Sequence, residues 1–146
     1  MATHLLLVSA SPGLAAEVEQ AFSERETEVF VARDHLEAML FLDRELCDAL
    51  LLEIDREGAE GLAFCKVVRR SWAVGVVLLL RPSAQRNVVL GYQMGADSHL
   101  NLPFNSRELV ARVEGVARRA QISRAERTQV PDTSIPQRLG GVAEIA

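Results

Sequence analysis

The chain has 146 residues, a length that suits one domain with a hydrophobic core. Hydrophobic residues make up 49% of it, which excludes a disordered chain. The 16 basic and 20 acidic residues give a formal net charge of −4, so nothing in the charge favours nucleic-acid binding by this domain itself.

The first half alternates short apolar runs with segments of helical spacing. Continuous apolar runs at Leu5–Val8 and Ala49–Leu52 are typical of strands buried on both faces, and a weaker run at Glu28–Ala32 predicts another strand. The helices between these strands begin at typical capping patterns, namely Ser11-Pro12 and Asp34 followed by Glu37. One face of the first helix is apolar, formed by Leu14, Val18, Ala21 and Phe22.

The second half repeats the same alternation. The run Gly75–Leu80 predicts a buried strand, and Asp97–Asn101 predicts a short one. A helix is expected over Leu62–Arg70. Another is expected from a cap at Ser83 through Met94, with Gly95 at its end. The last helix is expected to begin with a cap at Asn105, with Glu108 as its reciprocal partner, and to end near Arg119. Its apolar stripe consists of Leu109, Val113, Val116 and Ala117.

Five consecutive strand–helix units predict a doubly wound parallel α/β sheet with helices on both faces. The compact version of this fold is flavodoxin-like, (βα)5, with strand order 2-1-3-4-5. A ligand site is then expected at the carboxyl ends of the strands, near the first and third. We assign residues 1–120 to this domain. Residues 121–146 are polar, contain Pro131 and Pro136, and predict a linker or a flexible C-terminal tail.

Several classes of protein are disfavoured. The start of the chain has no basic flank, and no apolar run is long enough to cross a bilayer, so we expect a cytoplasmic protein without membrane contact. Cys47 and Cys65 are expected to be free thiols. The histidines have no ligand spacing, and no phosphate-binding loop or dinucleotide fingerprint is present, so neither a metal nor a cofactor is expected.

Several segments together resemble the response-regulator receiver family over roughly residues 4–119. Residues Gly95–Phe104 read Gly-Ala-Asp-Ser-His-Leu-Asn-Leu-Pro-Phe, which is similar to the family's Gly-Ala-Asp-Asp-Tyr-Leu-x-Lys-Pro-Phe. Glu108–Val113 and Asp48–Glu53 also match, with Gly61 at the usual distance after the latter. The resemblance implies a cis peptide bond before Pro103.

The family's phosphorylation chemistry is what the sequence lacks. A receiver uses an acidic pair to hold Mg²⁺, an aspartate to accept the phosphoryl group, and a hydroxyl and a lysine to bind it. By the resemblance, the acidic pair falls on Ser9 and Ala10, and the aspartate falls on Glu53. The hydroxyl position falls on Leu80, the lysine position on Leu102, and the aromatic switch position on His99. The resemblance therefore implies a degenerate site, and we expect no enzymatic activity.

Each of these residues leaves alternatives open. Glu53 is either a permanent stand-in for a phosphorylated aspartate or a carboxylate at a strand end, and we expect it to turn outward to water. A raised pKa, or a pair with Arg56 or Arg81, are the other outcomes. Leu80 and Leu102 are expected to extend the core, with a small apolar metabolite pocket as the alternative. His99 is expected to be a surface histidine, with a pH sensor as the alternative.

The expected function is that of a phosphorylation-independent receiver in a signalling or transcription-regulatory protein. The pattern is most similar to OmpR-like winged-helix regulators, which implies a homodimer through the fourth helix, fifth strand and fifth helix. The matching residues are Val88, Tyr92, Asp97, Glu108, Leu109 and Arg112. DNA would be bound only through an output domain if the chain continues. A small-molecule sensor and a stand-alone adaptor that binds other signalling proteins are the alternatives.

Overall fold

The structure, a computed structural model, describes residues 2–129 of the chain and the side chains as far as residue 126. Strands and helices alternate along it. The strands are β1 (Thr3–Val8), β2 (Thr27–Ala32), β3 (Ala49–Ile54), β4 (Gly75–Leu80) and β5 (Ser98–Asn101). The helices are α1 (Pro12–Ala21), α2 (His35–Arg44), α3 (Ala59–Ser71), α4 (Val88–Gln93) and α5 (Ser106–Gln129), with a 3-10 helix, Pro82–Asn87, before α4.

The five strands form one parallel sheet in the order β2-β1-β3-β4-β5, as the alternation predicted. Every residue of β4 is buried, and so is nearly all of β3, because helices cover both faces. Two separate apolar cores result. The core on one face contains Leu50 and Leu78, and the core on the other contains Leu51 and Leu79, since successive side chains of a strand point to opposite faces.

The predicted helix caps at Ser11, Asp34 and Asn105 are confirmed. Their side-chain oxygens accept hydrogen bonds from the backbone N–H groups three residues later, at 3.2, 2.8 and 3.1 Å. The bond before Pro103 is cis. Cys47 and Cys65 are free and buried, and burial raises the pKa of their thiols to about 12 and about 11.

The region before β5 differs from the prediction. Ser83 does not cap a continuous helix. The chain turns directly from β4 into the 3-10 helix, whose bond from the Ala84 N–H to the Arg81 carbonyl is 2.8 Å, and α4 begins only at Val88. Pro82 fits the first position of this turn because proline has no N–H, and an N–H at that position would have no helical partner. Gly95 does end the helical region, with a φ of 110°.

Helix α5 is longer than predicted and does not end near Arg119. It continues to Gln129, and Arg124 in this extension binds the carboxylate of Asp48 and the carbonyl oxygens of Cys47 and Ala73. Asp48 is 1% exposed, so it supplies a buried anion that holds the extension against the domain. The rest of the predicted tail, residues 130–146, lies outside the described residues. No helix among residues 2–129 is long and apolar enough to cross a membrane.

Candidate functional site

The carboxyl ends of β1, β3 and β4 bring three polar side chains together. Ser9 follows β1, Glu53 lies near the end of β3, and Arg81 follows β4. The Ser9 hydroxyl donates to Glu53 Oε1 at 2.5 Å, and Arg81 Nε donates to Glu53 Oε2 at 2.5 Å. Ser9 Oγ in turn accepts the Ser11 N–H at 3.0 Å. Both oxygens of the Glu53 carboxylate are therefore engaged within the protein.

The expectation that Glu53 turns outward to water is wrong. Its side chain is only 16% exposed, and of the outcomes left open, the pair with Arg81 is the one found. The physical reason is that a carboxylate this far from solvent needs a cation or several donors. Arg81 directly follows Leu80, so it enters the site from the end of the neighbouring strand.

The two leucines at the family's hydroxyl and lysine positions lie in the cores. Leu80 is 0% exposed and Leu102 is 5% exposed, and they belong to opposite faces of the sheet. An open cleft of about 640 Å³ does border Ser9, Ala10 and Glu53, but neither leucine lines it. The alternative of a metabolite pocket walled by these two leucines therefore has no support in the geometry.

The residues of this site do not fit the Mg²⁺ ion that receivers use. Mg²⁺ requires hard oxygen ligands, with carboxylates to offset its charge. Ser9 and Ala10 provide no carboxylate at the position of the acidic pair, and the Glu53 carboxylate is already bound by Arg81. Asp55, the next acid along the chain, accepts the N–H groups of Glu57 and Gly58 in its own loop. Within residues 2–129, no cluster of acidic, histidine or cysteine side chains is arranged to hold a metal.

At the aromatic switch position, His99 joins α4 to β5. Its Nδ1 lies 2.9 Å from the Tyr92 hydroxyl, and the two rings meet edge to face with centroids 5.6 Å apart. Partial burial and the nearby Arg112 lower the pKa of His99, against an opposing contribution from Glu108. The ring is therefore held in its neutral form at neutral pH.

The residues predicted for the dimer face are not all on the surface. Leu109 is 0% exposed and lies in a core, so its assignment to a surface contact is wrong. Val88 is half-buried against the opposite core, and Tyr92 is 44% exposed. Glu108 and Arg112 pair at 3.2 Å, whereas Asp97 binds Arg69 at 3.2 Å and the Val76 N–H at 2.7 Å.

Comparison with known proteins identifies the family to which this fold belongs. The family model of the response regulator receiver domain matches residues 5–114. The chain belongs to the response-regulator receiver family. This receiver has the sheet order β2-β1-β3-β4-β5.

Relatives of this receiver include a longer transcription factor and several isolated domains. It is 34% identical over 131 residues to the transcriptional activator protein PfeR of Pseudomonas aeruginosa. The matched region covers 90% of this chain and 43% of PfeR. This chain thus spans less than half the length of PfeR. A response regulator from Chloroflexus aurantiacus is 27% identical, with a TM-score of 0.73, covering 80% of this chain and 98% of its own. One from Thermotoga maritima shares the fold at 23% identity, with a TM-score of 0.74 and the same coverage.

We expect the Glu53→Gln substitution to lower the free energy of unfolding by about 1 kcal/mol, because it removes an ion pair that is partly buried at Glu53 and screened by solvent at Arg81. Glu57→Gln, an exposed loop change, is the control and is expected to stay within about 0.5 kcal/mol. Urea denaturation measures both variants. Arg81→Gln and the double variant complete a mutant cycle. Equal effects of Glu53→Gln and Glu57→Gln, or additive effects of the pair, would contradict the interaction.

We also expect His99 to titrate below the usual histidine pKa of about 6.5. The folded state then binds fewer protons than the unfolded chain, so stability from this group is full above about pH 6.5 and falls as the pH drops below it. NMR titration of the imidazole, assigned with His99→Gln, measures the pKa. Arg112→Gln should raise that pKa, and Arg107→Gln, elsewhere on α5, should not. A His99 pKa that does not respond to Arg112→Gln contradicts this electrostatic account.

Proposed function

We propose that this receiver works without phosphorylation, as a protein-binding and dimerising domain of a transcription regulator. The observation that carries the proposal is the Glu53 carboxylate, which stands at the family's phosphoacceptor position with both oxygens bound by Ser9 and Arg81. A carboxylate in this state is a poor acceptor, because an ion pair and a hydrogen bond stabilise its ground state. The transcriptional role is supported by the identity to PfeR.

The missing groups support the same conclusion on chemical grounds. Phosphoryl transfer depends on a metal ion and cations that offset the charge of the transferred group. Leu102 stands at the lysine position and Leu80 at the hydroxyl position, and both are buried. Arg81, the cation that binds Glu53, is already neutralised by that carboxylate. Glu53 and Arg81 thus form a permanent ion pair at this site, in place of the reversible pair between a phosphoryl group and a lysine.

Partner contacts are proposed for the surface of α4, β5 and α5, where His99 links α4 to β5. The exposed apolar side chains of α4 are Val89 at 65%, Leu90 at 41% and Tyr92 at 44%. Arg112 of α5 donates to the Ser98 hydroxyl of β5 at 3.1 Å as well as pairing with Glu108. An apolar patch with a charged rim suits a symmetric dimer. Val89 and Leu90 replace Leu109 in the proposed contact.

The test of phosphorylation independence is direct. We expect acetyl phosphate with Mg²⁺ to leave the intact mass of the protein unchanged, since Ser9 and Ala10 provide no carboxylate for the metal. A receiver that keeps the acidic pair, the aspartate and the lysine is treated in parallel to verify the reagent. A single added phosphate that disappears in Glu53→Gln or Asp55→Asn would overturn the proposal.

The proposed dimer is tested by charge reversal. We expect Arg112→Glu to weaken self-association about tenfold, because it places a like charge beside Glu108 and removes a cation from the contact. Arg107→Glu, exposed on the same helix but away from the proposed face, is the matched control. Sedimentation velocity over a concentration series gives the dimer constants. A native chain that remains monomeric throughout the series rules out the dimer.

Glu53→Gln in the same sedimentation runs separates two roles of Glu53. A shifted dimer constant in the fully folded variant identifies Glu53 as a built-in phosphate mimic that drives assembly. An unchanged dimer constant restricts the Glu53–Arg81 pair to holding the end of the sheet together.

A further inference from the structure

A second cleft lies at the opposite end of the sheet from the phosphorylation site. It has a volume of about 520 Å³ and is formed by the C-terminal end of α3, the turn into β4 and the middle of α5. Its charged and aromatic lining consists of Arg69, Arg70, Trp72, Asp97 and Arg119. Three arginines against one aspartate make the cleft strongly basic, although the chain as a whole carries a net charge of −4.

The arginines of this cleft are not equally engaged. Arg69 donates to the Val74 carbonyl at 2.6 Å and to Asp97 at 3.2 Å, so it and Asp97 form a satisfied wall. Among the described side chains, neither Arg70 nor Arg119 has an ion pair or a side-chain hydrogen bond, and both are exposed. By contrast, the partly buried Arg81 and Arg124 both have carboxylate partners.

Helix electrostatics explain only part of this arrangement. Arg69 and Arg70 lie in the last turn of α3, where cations offset the negative end of the helix dipole. Arg119 lies in the middle of another helix, α5, so the helix dipole does not explain why it lines the same cleft. Trp72 is half-buried at the cleft, with its indole N–H bound to Asp43 at 3.2 Å. The cleft therefore combines two uncompensated guanidinium groups with an aromatic wall.

We propose that this cleft binds an acidic peptide segment of a partner protein, with Arg70 and Arg119 each binding a carboxylate. The planar guanidinium group is suited to two parallel hydrogen bonds with a carboxylate. The volume is that of a pocket for a few side chains, and a concave cleft of this size does not admit a nucleic-acid duplex. Since the cleft lies at the other end of the sheet, this inference does not depend on the proposed function.

Trp72 is the single tryptophan of the chain and lines the cleft, so its fluorescence reports on occupancy. The experiment titrates the protein with a blocked oligoglutamate peptide and, as a control, with an oligoglutamine peptide of equal length. Calorimetry measures the binding, and Trp72 emission locates it. We expect saturable binding of oligoglutamate only, accompanied by a change in emission and weakened by salt.

Two variants and one matched control test the assignment of residues. Arg70→Gln and Arg119→Gln should each weaken oligoglutamate binding about tenfold, as expected for the loss of a charge-assisted hydrogen bond. Arg118→Gln, an exposed neighbour of Arg119 that does not line the cleft, should leave binding unchanged. All three positions are exposed, and urea denaturation verifies that the variants fold.

Several outcomes overturn the proposal. Absence of calorimetric binding, or binding without a change in Trp72 emission, removes the peptide from this cleft. If Arg118→Gln weakens oligoglutamate binding as much as Arg70→Gln and Arg119→Gln do, the binding is general charge attraction and not recognition by this cleft. Displacement of the peptide by equimolar inorganic phosphate identifies a small-anion site instead, and tighter binding of a short DNA duplex than of oligoglutamate identifies a nucleic-acid surface.

Discussion

Burial of the parallel sheet on both faces is the constraint on which the rest of this receiver depends. Each residue of β4 and most of β3 are enclosed by helices, and Glu53, near the end of β3, is the one polar side chain within these two strands. Polar chemistry at the centre of the sheet is therefore found where these strands end. The ends differ in charge: a carboxylate on β3 approaches the carboxyl end, and an arginine-lined cleft opens at the amino end.

The same solution to charge burial occurs at both ends. Asp48 precedes β3, is 1% exposed, and accepts the His4 N–H at 2.7 Å in addition to binding Arg124. Glu53, near the other end of the same strand, is bound by Arg81 and Ser9. In each case an arginine from a distant part of the chain compensates the carboxylate, because an unpaired charge would be costly to bury. Arg81, which directly follows β4, is thus the cation that balances Glu53.

The parts of this structure that depend on local pattern could be predicted from the sequence. Continuous apolar runs identify the strands, and Ser11, Asp34 and Asn105 identify three helix starts, because capping involves residues only three apart. The Glu53–Arg81 pair joins residues 28 apart, and only the packed sheet shows which of the nearby arginines reaches the carboxylate.

The errors have physical reasons as well. Leu109 belongs to the apolar stripe of α5 with Val113 and Val116, and that periodicity alone places it in the core. The resemblance to a dimer face had placed Leu109 on the surface, but its apolar side chain packs in the core. The extension of α5 carries Arg124, which binds the distant Asp48, and no pattern within the helix indicates that contact.

That contact also fixes the direction of α5 at the amino end of the sheet. A helix of 24 residues extends about 36 Å, and each residue advances it by about 1.5 Å and turns it by about 100°. Because Arg124 secures the last part of α5 to the amino end of the sheet, the helix leaves the domain at a set angle and rotational phase. A single residue inserted after Arg124 would therefore turn Gln129 by about 100° around the helix axis relative to this anchor, whereas seven residues, close to two full turns, would nearly restore its orientation.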